Sequence, residues 1–291
     1  AFSPRLDPLD FAQEGHRVEL AEPDDPSSEL VYRGVVYNEM KGAMSSPVAT
    51  LWQTLCEHLF PTSTYHYNSG GDPADIPSLS YDQLTAFYRS HYHPSNAIFM
   101  TFGDIPAEEH QAVFEERALA RFRKLDEHIA VTPEQRFAAP KRVTAPYAYD
   151  EDDELTGKTH VVLGWMLGES ADLEAMLEAQ LLTSVLLENS ASPLQHALET
   201  TELGSAPSPL CGLEDGMREM VFCCGIEGSE AEHADAIEAL VLDTLERVAR
   251  EGVPREQVEA VLHQLELHQR EVGGDGFPYG LSLMMQAIGS A

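Results

Sequence analysis

VFCCGIEGSEAEHADAIEAL, residues 221 to 240, sets a strand, a turn and a helix side by side. Glu219 to Ile226 reads as a buried strand, with the adjacent Cys223 and Cys224 pointing to opposite faces. Ser229-Glu230-Ala231-Glu232 has the form of a capping box, and Ile237, Val241, Leu245 and Val248 then recur at helical spacing as one inward stripe. After Gly252, Pro254 opens another helix through Val258, Leu262 and Leu265. Upstream, His160 to Met166 (HVVLGWM) reads as a second strand, and Ser170 is placed to cap a helix through Leu173, Leu177, Leu181 and Val185. Strands separated by paired helices predict a layered αβ domain with helices packed on a sheet.

The first half uses the same grammar. Ser80-Tyr81-Asp82-Gln83 is a capping-box pattern, the helix it opens carries Leu84, Phe87 and Tyr88 on one face, and Pro94 stops it. Ala97 to Phe102 predicts a strand ended by Gly103-Asp104, and a helix follows from about Pro106 with Val113, Phe114 and Leu119 as core positions. FMTFGDIPAEEHQAVFEE (99 to 116) therefore shares with 221 to 240 the order strand, glycine, short acidic turn, Glu-His, helix. Two copies are too few for a solenoid, and a duplicated strand-helix domain is the expectation they raise.

Around these elements the composition is acidic: 18 Lys and Arg against 49 Asp and Glu leave −31 over 291 residues. Neutralising phosphates takes Lys and Arg, so the balance argues against nucleic acid as a partner and equally against an anionic membrane surface. No stretch approaches the roughly 20 apolar residues of a bilayer span, and AFSPRLDPLD lacks the regions of a signal peptide. An intracellular, cytoplasmic location is the resulting expectation. Charge steps from −9 over residues 1–145 to −22 over 146–291, beside the acidic run Asp150, Glu151, Asp152, Asp153 and Glu154. Like charges repel, and Pro133, Pro140 and Pro146 lie close by. Residues 131–158 thus read as a linker between one unit at 1–130 and another at 159–291. The chain opens on Ala and closes on the apolar, helix-like GLSLMMQAIGSA, which reads as a piece of a longer protein.

Self-contained catalytic motifs are absent: there is no GxSxG elbow, phosphate-binding glycine loop, HExxH or HxxEH. Cys56, Cys211, Cys223 and Cys224 form no CxxC and read as small buried thiols. His91 and His93 read as helix-end residues suited to terminal carbonyls, and His263 and His268 lack the i,i+4 spacing that shares a helix face. Tyr65 to Pro73 (YHYNSGGDP) is a tight-turn cluster, either a plain loop or backbone that a ligand approaches closely. Glu39, within GVVYNEMKG (34 to 42), sets a carboxylate beside an apolar run. Its own neighbourhood leaves open a pairing with Lys41, a solvated helix start or a metal.

Four stretches then occur in order: GVVYNEMKGAMSSP (34 to 47), YNSGGDPADIPSLSYDQLTAFYRSHYHPSNA (67 to 97), NSASPLQHALETTELGSAPSPLCGLED (189 to 215) and GGDGFPYGLSLM (273 to 284). Together they resemble the presequence-protease subfamily of the insulinase/pitrilysin zinc metallopeptidases. The resemblance implies an α+β fold of layered αβ units, mostly antiparallel sheet with helices packed on one face. It also implies a peptidase that degrades short to medium unstructured peptides in a closed chamber. Glu39 matches the family's third zinc ligand, while the two histidines and the general base belong to an HxxEH motif expected ahead of Ala1. By that expectation the full-length enzyme uses Zn2+, whereas this chain alone has no catalytic residue, holds no zinc and cleaves nothing. SGGDP (69 to 73) and HYHPSNA (91 to 97) look like scaffold turns. LETTELGSAPSPLCGLED (198 to 215) resembles the part of the second unit that offers a sheet edge to substrate, with Gly204, Ser205 and Ala206 as the candidate residues. Partners implied are peptide substrates and the rest of the same polypeptide. The rival readings are a non-catalytic family member serving as a structural or peptide-binding subunit, and an independent acidic interaction module.

Overall fold

The computed structural model describes residues 2–126, 129–150, 152, 154–270 and 277–288. They divide into two units, Ala1–Gln53 with Tyr67–Thr132, and Thr54–His66 with Pro133–Ala291. The first opens with α1 (Pro8–Asp10), a single turn capped by Asp7, whose carboxylate accepts the Leu9 N–H at 2.9 Å. β1 (Arg17–Leu20) and β2 (Leu30–Arg33) form an antiparallel ribbon in the register Val18 opposite Tyr32 and Leu20 opposite Leu30. α2 (Val35–Ala43) follows, then α3 (Pro47–Leu59), whose last turns, from Thr54, count with the second unit.

α4 (Tyr81–His91) carries the expected capping box: Ser80 Oγ accepts the Gln83 N–H at 3.2 Å, and Gln83 Oε1 accepts the Ser80 N–H at 2.8 Å. Its buried residue is Thr85, while Leu84 and Phe87, expected on one face, are exposed. α5 (Ala107–Arg117) begins where predicted, with Val113 exposed. Residues 97–102 correct the sequence reading, because no strand forms there. A strand needs a ladder partner, and none among the described residues pairs with this stretch. Phe99 instead packs its ring on Phe114 (centroids 4.6 Å apart) and on Phe2 (5.8 Å), while Ile98 and Phe102 stay exposed. Segments 99–116 and 221–240 therefore share a helix but not the preceding strand, which removes the structural half of the duplication.

The second unit is built on β3 (Thr159–Glu169), β4 (Ala206–Pro207), β5 (Gly212–Glu214) and β6 (Glu219–Ser229). All pairings are antiparallel; β6 is central, with β3 on one side and β4 and β5 on the other. Its helices are α6 (Leu173–Leu187), α7 (Pro193–Thr200), α8 (Ala234–Glu251), α9 (Arg255–Arg270) and α10 (Tyr279–Ile288). Phe222, Cys224 and Ile226 face a core with Leu194 and Leu198 of α7 and Ile237 and Val241 of α8. Each such large apolar side chain stabilises by roughly 1.5–3 kcal/mol relative to exposure. Val221 and Cys223 on the opposite face are buried as well. The end of α3 belongs to this unit, and a Cβ on Gly164 of β3 would lie 3.0 Å from Leu55. Burial on both faces is why β6 reads as an unbroken apolar run rather than an alternating one.

Two caps differ from expectation. Ser170 does not cap α6; Asp172 does, accepting the Glu174 and Ala175 N–H groups, while the buried Ser170 hydroxyl donates to Met217 O at 2.6 Å. Ser229 likewise turns to Leu203 O at 2.5 Å, and α8 starts later, after a 3-10 turn at Ala231–His233. In α6 the buried residues are Ala179, Val185 and Leu186, with Leu173 and Leu177 exposed; in α9 Val261 is buried and Leu262 exposed. Glu151 and Asp153 of the acidic run, and Gly273 to Gly276 of the last motif, lie outside the described residues.

Candidate functional site

Glu39 sits in the middle of α2, exposed to solvent. Gly34 lets this helix start where it does, since a Cβ there would stand 2.0 Å from the Gly15 carbonyl oxygen. From another side the YNSGGDP loop supports the helix: a Cβ on Gly70 would fall 2.3 Å from Met40 Sδ, and Asn68 Nδ2 donates to Met44 Sδ at 3.4 Å. Gly71, at φ +93°, takes a backbone region that side chains disfavour. The turn closes with Asn68 O accepting the Gly71 N–H at 2.9 Å. The glycine pair thus reads as a scaffold turn for α2. Lys41, offered as a partner for Glu39, lies instead over the Tyr37 ring, 5.6 Å from its centroid. Among the described residues no three His, Cys, Asp or Glu side chains converge as a metal site. A single carboxylate has the donor chemistry for zinc but supplies one ligand only.

Gly204, Ser205 and Ala206 lead into β4 at the side of the sheet away from β3. Glu227 O of β6 accepts the Ser205 N–H at 2.9 Å and Gly225 O accepts the Ser208 N–H at 2.9 Å. Ala206 shares the parity of Ser208 and stands opposite Glu227, so its backbone faces β6, and Pro207, which has no N–H, is the residue of β4 turned outward. Gly204 is pressed onto β6, because a Cβ would meet Ile226 Cγ2 at 2.3 Å and Glu227 O at 2.9 Å. Gly228, at φ +67°, makes the reciprocal allowance for Ser205.

The remaining candidates resolve into structure. His91 stacks on Phe87 at 3.9 Å, and His93 Nδ1 accepts the Ser95 N–H at 3.1 Å, so each serves a local turn. All four cysteines are free thiols. Burial pushes Cys56 and Cys223 up to about 12 and raises Cys211 and Cys224, which keeps the thiolate nucleophile out of reach. Cys211 Sγ fills a gap in the ladder, accepting the Gly225 N–H at 3.3 Å. The side chain of His268 lies outside the described residues.

A pair of buried carboxylates escaped the sequence reading. Glu134 accepts the Thr62 N–H (2.9 Å) and hydroxyl (2.7 Å), the Ser63 N–H (3.0 Å) and the Gln135 N–H (2.8 Å). Glu219 accepts the Glu134 N–H at 2.8 Å and pairs with Arg136 at 3.0 Å. Apart from Gln135, their partners lie 71 to 85 positions away, a separation that no local pattern announces.

The αβ fold recurs in solved structures. The chain is similar to a protease from Helicobacter pylori (TM-score 0.62, 16% identity, 88% of this chain and 60% of that one). A peptidase M16 inactive domain from Pseudomonas fluorescens is similar too (TM-score 0.59, 15% identity, 88% of this chain and 59% of that one). At such identities the likeness is one of fold. The sequence profile described as the peptidase M16 inactive domain matches residues 78–265, and the chain belongs to the peptidase M16 family. It is 36% identical to the mitochondrial presequence protease of Xenopus tropicalis over 97% of its length. To the chloroplastic/mitochondrial presequence protease 1 of Arabidopsis thaliana it is 35% identical, over 96%. The chain spans 27% and 26% of those two proteins, about a quarter of each. The expected cytoplasmic location is overturned, since these presequence proteases are named for mitochondria and chloroplasts. Acidity and the lack of an apolar span, on which that expectation rested, carry no compartment address.

Proposed function

We propose that this chain is an internal portion of a larger presequence-protease-like zinc metalloendopeptidase acting on short to medium unstructured peptides in a closed chamber. Residues 1–130 would be the latter part of its zinc-binding unit, 131–158 a connection, and 159–291 the start of a second, non-catalytic unit. The observation that carries the reading is Glu39. Its carboxylate has no ion pair or side-chain hydrogen bond among the described residues, yet it stands on a helix braced by the Gly70–Gly71 turn. A zinc ion, when bound by Glu39 with ligands supplied elsewhere in the protein, provides Lewis acidity toward the scissile carbonyl. The chain's own contributions are that one anionic oxygen and the sheet edge at Gly204, Ser205 and Ala206, alongside which an extended peptide is held with little regard to its side chains.

Zinc analysis of the purified chain, together with an assay on an unstructured peptide, tests this. Substoichiometric zinc and no hydrolysis are expected, and tight stoichiometric zinc at Glu39 would overturn it. The coding sequence ahead of Ala1 separates the rival. An HxxEH motif there supports the enzyme, and its absence supports a structural or peptide-binding subunit.

A further inference from the structure

β3 is eleven residues long and, among the described residues, pairs on one side only, with β6. The odd-numbered residues of β6 direct their backbone groups to the β4–β5 side: Glu227 O and Gly225 O accept from Ser205 and Ser208, and the Gly225 N–H goes to Cys211. The even-numbered residues Phe222, Cys224 and Ile226 therefore bond β3, at Trp165, Leu163 and Val161. That leaves the amides and carbonyls of Val162, Gly164 and Met166 facing outward, with no paired strand among the described residues. An apolar edge of this kind is a template for unwanted pairing unless something covers it.

The stretch 133–149 is fastened at both ends of that edge. The Arg136 guanidinium donates to Leu167 O, near the end of β3, and the Tyr147 hydroxyl donates to Lys158 O, just before its start, at 2.5 Å. Tyr147 also sets its ring against His160, centroids 5.9 Å apart. Between them Arg142 grips Glu238 of α8, Nε to Oε2 at 2.7 Å. The stretch thus runs antiparallel to β3, yet it forms no ladder. Pro140 and Pro146 lack an N–H to give, and side chains make the attachments. Charge favours the placement: 133–149 carries three cationic side chains and one carboxylate, against a −22 balance over 146–291. At its foot Glu134 holds Thr62 and Ser63.

We infer that residues 133–149 are a removable strap, anchored by Arg136, Arg142 and Tyr147, that covers the outward edge of β3 and opens independently of the sheet beneath. The inference does not depend on peptide cleavage. Amide hydrogen exchange on the intact chain tests it, comparing the native protein with the Arg136→Ala/Arg142→Ala double variant. Exchange at Val162, Gly164 and Met166 is expected to rise at least about tenfold, while Val161, Leu163 and Trp165, bonded to β6, stay unchanged as the internal control for folding. No change at the outward three, or an equal rise in both sets, overturns the strap. Tyr147→Phe, which alters no charge, gives a second test. A smaller rise confined to the outward set supports the strap, and an unaltered outward set contradicts it.

Discussion

Glu39 and Glu134 are the same side chain put to opposite uses. Glu134 is buried and accepts four hydrogen bonds from Thr62, Ser63 and Gln135. Glu39 is exposed, and the structure surrounds its helix rather than its carboxylate. A carboxylate whose acceptor capacity is filled by the fold stabilises the fold. One left unfilled on a braced helix is available to a ligand.

The largest effect falls on function. Losing a partner of a metal ligand commonly costs 10–100-fold, so Glu39→Gln in the longer protein should lower peptide hydrolysis at least about 100-fold. In this chain the same substitution should leave urea stability within about 0.5 kcal/mol of the native value. Glu134→Ala should do the reverse at the level of stability, lowering it by about 2 kcal/mol in urea titrations, because buried donors lose their acceptor.

Acid should separate the two residues as well. Burial pushes the Glu134 carboxyl up, but the hydrogen bonds from Thr62, Gln135 and Ser63 outweigh it and hold it below the ordinary glutamate value of 4.5. Its contribution is therefore fully present above that ordinary value and is lost as pH falls through the lower, folded one. Urea midpoints measured from about pH 6 to about pH 3 should fall less steeply in Glu134→Gln than in the native chain. The smallest effect concerns the other candidate site. Gly204→Ala presses a methyl against the fully buried Ile226 and should cost about 1 kcal/mol of stability, read from the thermal midpoint.

What could be read from sequence was what local spacing decides. The Ser80–Gln83 capping box and the Ile237–Val241 stripe rest on spacing within one or two turns, the Val221–Cys224 strand is an apolar run that found β3 as its ladder partner, and all three formed. Ser170 and Ser229 had the right letters for caps, but carbonyls at Met217 and Leu203 reached them first. Residues 97–102 had strand composition and no partner, and composition alone does not make a ladder. At the candidate site, physics left Glu39 undecided among three environments; its family resemblance singled it out, and the structure then showed it exposed and without an ion pair among the described residues. Glu134 was invisible for the converse reason, since every group that explains it, apart from Gln135, lies far away in sequence.

The most direct test of the central claim is the zinc content of the longer protein with and without Glu39→Gln, measured on folded material of equal thermal midpoint. The account predicts about one zinc per native molecule and a clear loss in the variant. Full zinc retained in Glu39→Gln would contradict it.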